Sequence, residues 1–286
     1  MGVRFEKMIS KIMKLSIITI NYNNKEGLQK TIDSVVSQTW RDFEWIVIDG
    51  GSTDGSKELI EQYQQYFAYW CSEPDKGVYN AMNKGIDKAK GEYLNFMNSG
   101  DCFVNASTLQ DVFSNKLTSD IVAGPVLLSN GQRLYQYQEN YVRMLVCSAL
   151  CHQSSFFKRN LFEHYRYRED FQLISDWVGL VEWLLFKGKT LQYLDVDVAL
   201  YDVSGMSNNG KLLQEERLAY FQERLGSQIG SELPRLYKEV LYLSGELEIP
   251  AIKMLRHLYY KAPKWFSVLY RLIAVTVKVK NWFSKE

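Results

Sequence analysis

Leu15-Ser-Ile-Ile-Thr-Ile20, running into Asn21-Tyr-Asn-Asn24, is the stretch on which the fold turns. A β-branched run of strand length closed by asparagines predicts a strand that ends in a tight polar turn. Leu28, Ile32, Val35 and Val36 then recur on one helical face, and Trp40 closes it. Trp45-Ile-Val-Ile48 reads as a second short buried strand, ended by Asp49-Gly50-Gly51. Ser52-Thr-Asp-Gly-Ser56 supplies turn and N-cap chemistry for a helix through Leu59, Ile60 and Tyr63. A third strand is expected over residues 68–71, a helix over 78–89 and a fourth strand over 93–97. Strands alternating with helices over short connections predict a largely parallel sheet covered on both faces, the first half of a doubly wound α/β domain.

Such sheets bind ligands beyond the carboxyl ends of their strands. Here those ends carry Asn21-Tyr22-Asn23, Asp49, Glu73-Pro74-Asp75 and Asn98-Ser99-Gly100-Asp101. One polar loop is ordinary, but four on the same rim mark a site. No Gly-x-Gly-x-x-Gly follows the first strand and no Gly-x4-Gly-Lys-Ser/Thr occurs, which disfavours a dinucleotide fold and a P-loop NTPase. Acids at strand ends point instead to a divalent cation bridging carboxylate and pyrophosphate.

The chain has 286 residues, 46% hydrophobic and 23% charged, with 34 basic against 33 acidic side chains. This make-up excludes a disordered tail protein, a collagen-like fibre and a disulfide-stapled module, and near-neutrality argues against nucleic acid as partner. Cys71, Cys102, Cys147 and Cys151 are spaced for no disulfide framework and read as idle thiols of a reducing compartment. The opening MGVRFEKMISKIMK mixes charged and apolar residues too evenly for a signal peptide. No apolar run reaches the roughly 20 residues of a spanning helix.

The ordered motifs resemble the family 2 glycosyltransferases, most closely the bacterial polysaccharide-assembly branch, over about residues 14–210. They are Ser16-Ile-Ile-Thr-Ile-Asn-Tyr-Asn23, Val36-Ser-Gln-Thr-Trp40, Ile46-Val-Ile-Asp-Gly-Gly-Ser-Thr-Asp-Gly55, Asp75-Lys-Gly-Val-Tyr-Asn-Ala-Met-Asn-Lys-Gly85 and Gly91-Glu-Tyr-Leu-Asn-Phe-Met-Asn-Ser-Gly-Asp101. The resemblance implies a GT-A fold and inverting transfer of a hexosyl or N-acetylhexosaminyl unit from a nucleotide diphosphate donor, UDP before GDP or dTDP. Tyr22 falls where the family stacks an aromatic on the donor's base. Asp49 falls on the first acid of a motif usually written Asp-Asp-x-Ser, with Gly50 in place of the second. Asp75 falls in the region that approaches the nucleoside, and Asn98 and Lys84 join the donor side. Asp101 matches the last acid of the family's metal motif, here thinned to Asn98-Ser99-Gly100-Asp101, and would hold Mg2+ or Mn2+ together with diphosphate oxygens.

Inverting transfer needs a carboxylate that takes the acceptor's proton from the side opposite the leaving group. Asp176 begins a helix whose apolar face is Trp177, Leu180, Val181, Leu184 and Leu185. The family places its base at such a helix start, commonly after Glu, where Ser175 stands here; Asp176 is the expected base, against a plain first-turn acid. Cys151-His-Gln-Ser-Ser155 lies between the metal motif and the base, and makes His152 a candidate for the acceptor pocket. Arg133 and Arg143 are further diphosphate candidates, and Gly205-Met-Ser207 is the expected flexible loop over the donor.

A domain boundary is expected at residue 210, with a helical, basic extension over 211–286. Its last part, 251–286, holds eight Lys or Arg and one acid among many aromatics. Such a helix suits an anionic membrane surface, where a lipid-linked saccharide acceptor would be met, and so predicts a cytoplasmic enzyme lying peripherally at the inner face of the plasma membrane. A silent carbohydrate-binding scaffold and a nucleotidyltransferase on a similar sheet are the competing readings.

Overall fold

The apolar run at the amino end forms β1 (Leu15–Asn21), every residue of which is buried. A computed structural model of the chain describes residues 13–128, 131–134, 150–201, 209–227, 230 and 232. After β1 come α1 (Lys25–Val36), β2 (Phe43–Asp49), α2 (Ser56–Tyr63), β3 (Tyr69–Ser72), α3 (Val78–Lys88) and β4 (Tyr93–Phe96). They are followed by β5 (Cys102–Phe103), α4 (Thr108–Phe113), β6 (Ile121–Ala123), β7 (Val126–Leu128), β8 (Arg133–Leu134) and β9 (Ser155–Lys158). The remaining elements are α5 (Ser175–Val181), β10 (Leu191–Tyr193), β11 (Ala199–Tyr201) and α6 (Gly210–Leu225).

Seven strands make the main sheet in the order β10-β6-β9-β4-β1-β2-β3. All neighbours run parallel except β9, which lies antiparallel between β4 and β6. From β1 the chain steps outward through β2 to β3, then returns to place β4 on the other side of β1. The boundary between β1 and β4 is therefore the topological switch point, where the ends of adjacent strands diverge and leave a crevice. A second sheet, β5-β11-β7-β8, lies beyond it in the chain. The expected α/β, doubly wound, mostly parallel architecture is the one found.

The local signals act as their chemistry requires. The Asn24 side chain accepts from Gly27 N at 3.1 Å and caps α1, whose Leu28, Ile32 and Val35 are buried in one core with Ile17, Trp45 and Val47. Trp40, past the helix, stacks on Phe113 with centroids 4.2 Å apart. Another cluster joins Phe96, Phe157, Phe162, Tyr167 and Trp183 through edge-to-face contacts about Phe162. It packs the segment leading to Asp176 against β4 and β9.

One expectation about that segment needs correcting. Trp177, Leu180, Val181 and Leu184 are buried as the periodicity requires, but Leu185 is 36% exposed. After Val181 the helix widens into a π-helical turn, Glu182–Phe186, and the extra residue per turn carries Leu185 off the apolar face.

The chain divides into two compact units, Met1–Tyr220 and Phe221–Glu286. No helix among the described residues is long and apolar enough to cross a membrane. Cys147, Arg143, the loop at 205–207 and the basic segment 251–286 lie outside the described residues.

Candidate active site

The parallel strands bring their carboxyl ends to one rim in register, with Asn21 of β1 opposite Asp49 of β2 and Asp49 opposite Ser72 of β3. Asp49 is fully buried. Its Oδ1 accepts from Asn21 Nδ2 at 2.7 Å and Ser52 Oγ at 2.5 Å, and its Oδ2 from Ser52 N at 2.9 Å and Ser72 Oγ at 2.6 Å. Burial acts to raise its pKa, but these donors outweigh it and hold the carboxyl below the ordinary aspartate value. Asp49 is thus an ionised post that ties three strand ends together, and it has few lone pairs left for a ligand.

Tyr22 stands next to it with 65% of its surface exposed. Between them Gly50 is pinched. A Cβ at position 50 would lie 2.7 Å from Asp75 Oδ2 and 3.1 Å from Tyr22 Cδ2. The Asp75 carboxylate therefore occupies the space that a side chain at position 50 would need, and its other oxygen accepts from Gly77 N at 2.8 Å. Tyr22, Gly50 and Asp75 form one small cleft: an exposed ring, a bare backbone and an acid. Lys84 is beside it but is bound to Glu73 at 2.8 Å and reaches the Pro74 carbonyl. Arg133, on β8 of the smaller sheet, is turned to Asp195 and Asp197 in the connection before β11.

Across the switch point, β4 ends in the turn Asn98–Asp101, closed by Asp101 N donating to Asn98 O at 3.0 Å. The buried hydroxyl of Thr31 on α1 anchors this turn. It accepts from Gly100 N at 3.0 Å and lies within donating distance of the Asn98 and Asp101 carbonyls. Asn24 adds a bond to the Ser99 carbonyl at 3.1 Å, linking the loop after β1 to the same turn. Asp101 is half-buried, and Gln153 Nε2 donates to its Oδ1 at 3.4 Å. Among the described residues no group of three or more His, Cys, Asp or Glu converges as a metal would require. The oxygen donor of Asp101 fits a hard cation that takes its other ligands from a diphosphate, and does not make a resident metal centre by itself.

His152 joins this turn to the helix that carries Asp176. Its Nε2 is 3.0 Å from Asn98 Nδ2 and its Nδ1 is 3.2 Å from Asp176 Oδ2. The other carboxylate oxygen of Asp176 accepts from Tyr79 OH at 2.9 Å and from Trp177 N at 2.9 Å. Three separate parts of the chain thus converge on one carboxylate. Burial acts to raise the Asp176 pKa, but the imidazole, the phenol and the backbone N–H overcome it, so the acid stays ionised. Burial would likewise lower His152, yet the Asp176 carboxylate, with Asp101 at longer range, lifts it above the ordinary histidine value. In the neutral ring Nδ1–H donates to Asp176 and Nε2 accepts from Asn98. In the charged ring an Asn98 amide turned over can accept through Oδ1, which has no other partner. Cys151 senses both acids: burial pushes its thiol up to about 12, and Asp101 and Asp176 add to the shift. Such a thiol is inert.

Of the residues picked out from the sequence, Asn98, His152 and Asp176 form one hydrogen-bonded chain with Asp101 next to it, and Tyr22, Asp49 and Asp75 surround Gly50. Lys84 is held by an acid of its own. Tyr79, Thr31 and Gln153 escaped the sequence reading. Tyr79 lies inside a recognised motif, but helical spacing marks it only as a core aromatic, and no pattern marks Thr31 or Gln153.

Residues 16–176, more than half of the chain, match the family described as Glycosyl transferase family 2. The chain belongs to that family. A PGL/p-HBAD biosynthesis glycosyltransferase of Mycobacterium bovis is 29% identical over 236 residues, spanning 79% of this chain and 91% of the relative. In fold the chain is similar to Staphylococcus aureus TarS 1–349, solved with UDP, at TM-score 0.61 and 18% identity, with 86% of this chain and 78% of that one covered. It is also similar to the mannosyltransferase PcManGT of Pyrobaculum calidifontis, solved with GDP-Man and Mn2+, at TM-score 0.58 and 16% identity over 96% and 88% of the two chains. This glycosyltransferase therefore has the GT-A fold, and its family segment ends at Asp176, the residue on which the site's hydrogen bonds converge.

Proposed function

We propose that this family 2 enzyme transfers a hexosyl or N-acetylhexosaminyl unit, with inversion, from a nucleotide diphosphate sugar to a saccharide or lipid-linked saccharide acceptor in cell-surface glycan synthesis. One observation carries the reading: the chain Asn98–His152–Asp176–Tyr79 joins the metal-motif turn to the base-bearing helix at the switch point. A catalytically silent scaffold would have no need to hold an ionised, 21% exposed carboxylate in three hydrogen bonds beside a second acid.

Tyr22 offers a face for the donor's base and Asp75 an acceptor for its N–H edge. UDP is the favoured nucleotide, in line with the TarS complex; GDP, as in the mannosyltransferase complex, is the alternative, kept by the absence of the motif's second acid at Gly50. Asp101 would hold Mg2+ or Mn2+ jointly with the donor's diphosphate; when bound, the cation neutralises charge on the departing nucleotide. Asp176 takes the proton of the attacking hydroxyl as the new C1–O bond forms and the bond from C1 to the phosphate oxygen breaks. The transition state is oxocarbenium-like, as in glycoside hydrolysis. His152 and Tyr79 hold the carboxylate so that its remaining lone pair faces the acceptor.

A panel of UDP-, GDP- and dTDP-sugars, assayed for nucleoside diphosphate release with Mg2+, Mn2+ or EDTA, tests this. Release of UDP from one UDP-sugar, abolished by EDTA, is expected. Release of pyrophosphate would make the protein a nucleotidyltransferase, and no turnover with any donor would make it a scaffold. The basic segment 251–286 is assigned to an anionic membrane surface on its composition. Sedimentation with phosphatidylglycerol vesicles should be lost when it is deleted, and unchanged sedimentation would remove that assignment.

A further inference from the structure

The helix α6 would be expected to dock through its leucines, yet its most buried residues are Glu216, 8% exposed, and Tyr220, 3% exposed, four residues apart on one face. A buried carboxylate is costly unless it is fully hydrogen-bonded, so its presence there asks for a reason. Glu216 spends both oxygens on the backbone that leads into α5: Oε1 accepts from Gln172 N at 2.7 Å and Oε2 from Leu173 N at 2.9 Å. Those two peptides lie three and four positions before Asp176. The next residue, Arg217, lays its guanidinium over the Trp177 ring at 4.7 Å. One turn later Tyr220 meets the same indole edge to face at 5.6 Å and donates to Glu182 Oε1 at 2.8 Å. Trp177 is the residue whose N–H donates to Asp176. The helix thus grips the base-bearing segment in front of Asp176, beside it and behind it.

We infer that Glu216 and Tyr220 are positioning residues for the transfer, and that the start of α6 belongs to the catalytic machinery rather than to an appendage. Neither side chain touches the reacting groups; each acts through the segment Gln172–Glu182. Backbone N–H donors bound to a carboxylate fix both the height and the tilt of the peptide plane, and with it the first turn of α5. The inference rests on the reading of Asp176 as base, but its structural half stands or falls separately.

The test uses the full chain with Glu216→Gln, Glu216→Ala and Tyr220→Phe. Glu216→Gln keeps the shape and turns an NH2 toward one of the two backbone donors, so it carries the test if the alanine variant does not fold. Amide hydrogen exchange should speed up at least about tenfold at both Gln172 and Leu173 in Glu216→Ala, and at the one that meets the NH2 in Glu216→Gln, as expected for a lost charge-assisted bond. With UDP-GlcNAc or whichever sugar nucleotide the panel selects, kcat should fall at least about tenfold, since a displacement of about 1 Å costs on the order of a hundredfold. The KM for that donor and the affinity for UDP should stay within about twofold, because uniform binding is untouched. Tyr220→Phe should lower kcat by less, with the same unchanged KM. Unchanged exchange, unchanged kcat, or a fall in kcat matched by a rise in KM and loss of UDP binding would each overturn the inference. A wild-type protein without turnover would instead overturn the functional reading, and the exchange result would still decide what Glu216 holds.

Discussion

Asp176 has two oxygens and three donors: Tyr79 OH and Trp177 N on Oδ1, His152 on Oδ2. This leaves part of Oδ2 for the proton that the proposed role requires, and each donor lowers the basicity while fixing the direction of the carboxylate. Tyr79→Phe removes one hydrogen bond to a charged acceptor, and with it one of the contacts that hold the Asp176 carboxyl low, so the Asp176 pKa should rise. On the proposed reading the base must be ionised to act, so the low-pH limb of kcat should move to higher pH while the donor KM holds. A limb that stays in place would show that the phenol does not bear on the base. The partner ring reports on the same pair. His152 is raised by Asp176 against the opposing pull of burial. In Asp176→Asn only the more distant Asp101 still opposes that pull, and the imidazole pKa should fall. With three histidines in the chain, imidazole NMR can follow it.

At the scale of elements, the strands and helices up to residue 97 were legible because period and turn chemistry agree there: β-branched runs stop at Asn or Asp-Gly, and apolar faces recur at three and four. The later strands were not, since β6 to β11 are two to four residues long and owe their state to their neighbours in the sheet. The π-helical turn after Val181 was hidden for a related reason, because an inserted residue leaves the apolar spacing unchanged. Within the site, residues at strand ends could be read from position alone. Tyr79 and Thr31 could not, because nothing in a sequence says that a helix's phenol or hydroxyl will reach across to another element. Two glycines show how the elements are fitted. A Cβ at Gly91 would lie 2.4 Å from Ser16 N and 2.5 Å from the Leu15 carbonyl carbon, both backbone atoms of β1. Gly91→Ala should destabilise the fold by about 3 kcal/mol in denaturant unfolding, the upper part of the range for overpacking. Gly50→Asp should leave the fold largely intact, because its obstacles are the Asp75 and Tyr22 side chains at an open rim. It should weaken UDP binding at least about tenfold by closing the cleft and placing a second carboxylate beside Asp75, as isothermal calorimetry would register.

The molecule as a whole sets two half-sites on either side of one crevice. The Tyr22, Gly50 and Asp75 cleft is braced by buried Asp49; the Asn98–Asp101 turn is braced by Thr31 and tied through His152 to Asp176. On the proposed reading, donor binding and proton removal fall to different half-sites and should be separable by mutation. The most direct measurement is Asp176→Asn in the full chain, with nucleoside diphosphate release and UDP affinity followed on the same preparation. Turnover should fall by about a thousandfold or more, the scale of a lost general base, while UDP binds as in the wild type. A variant that keeps its rate within tenfold, or that loses UDP binding along with the rate, would contradict the placement of the base at Asp176.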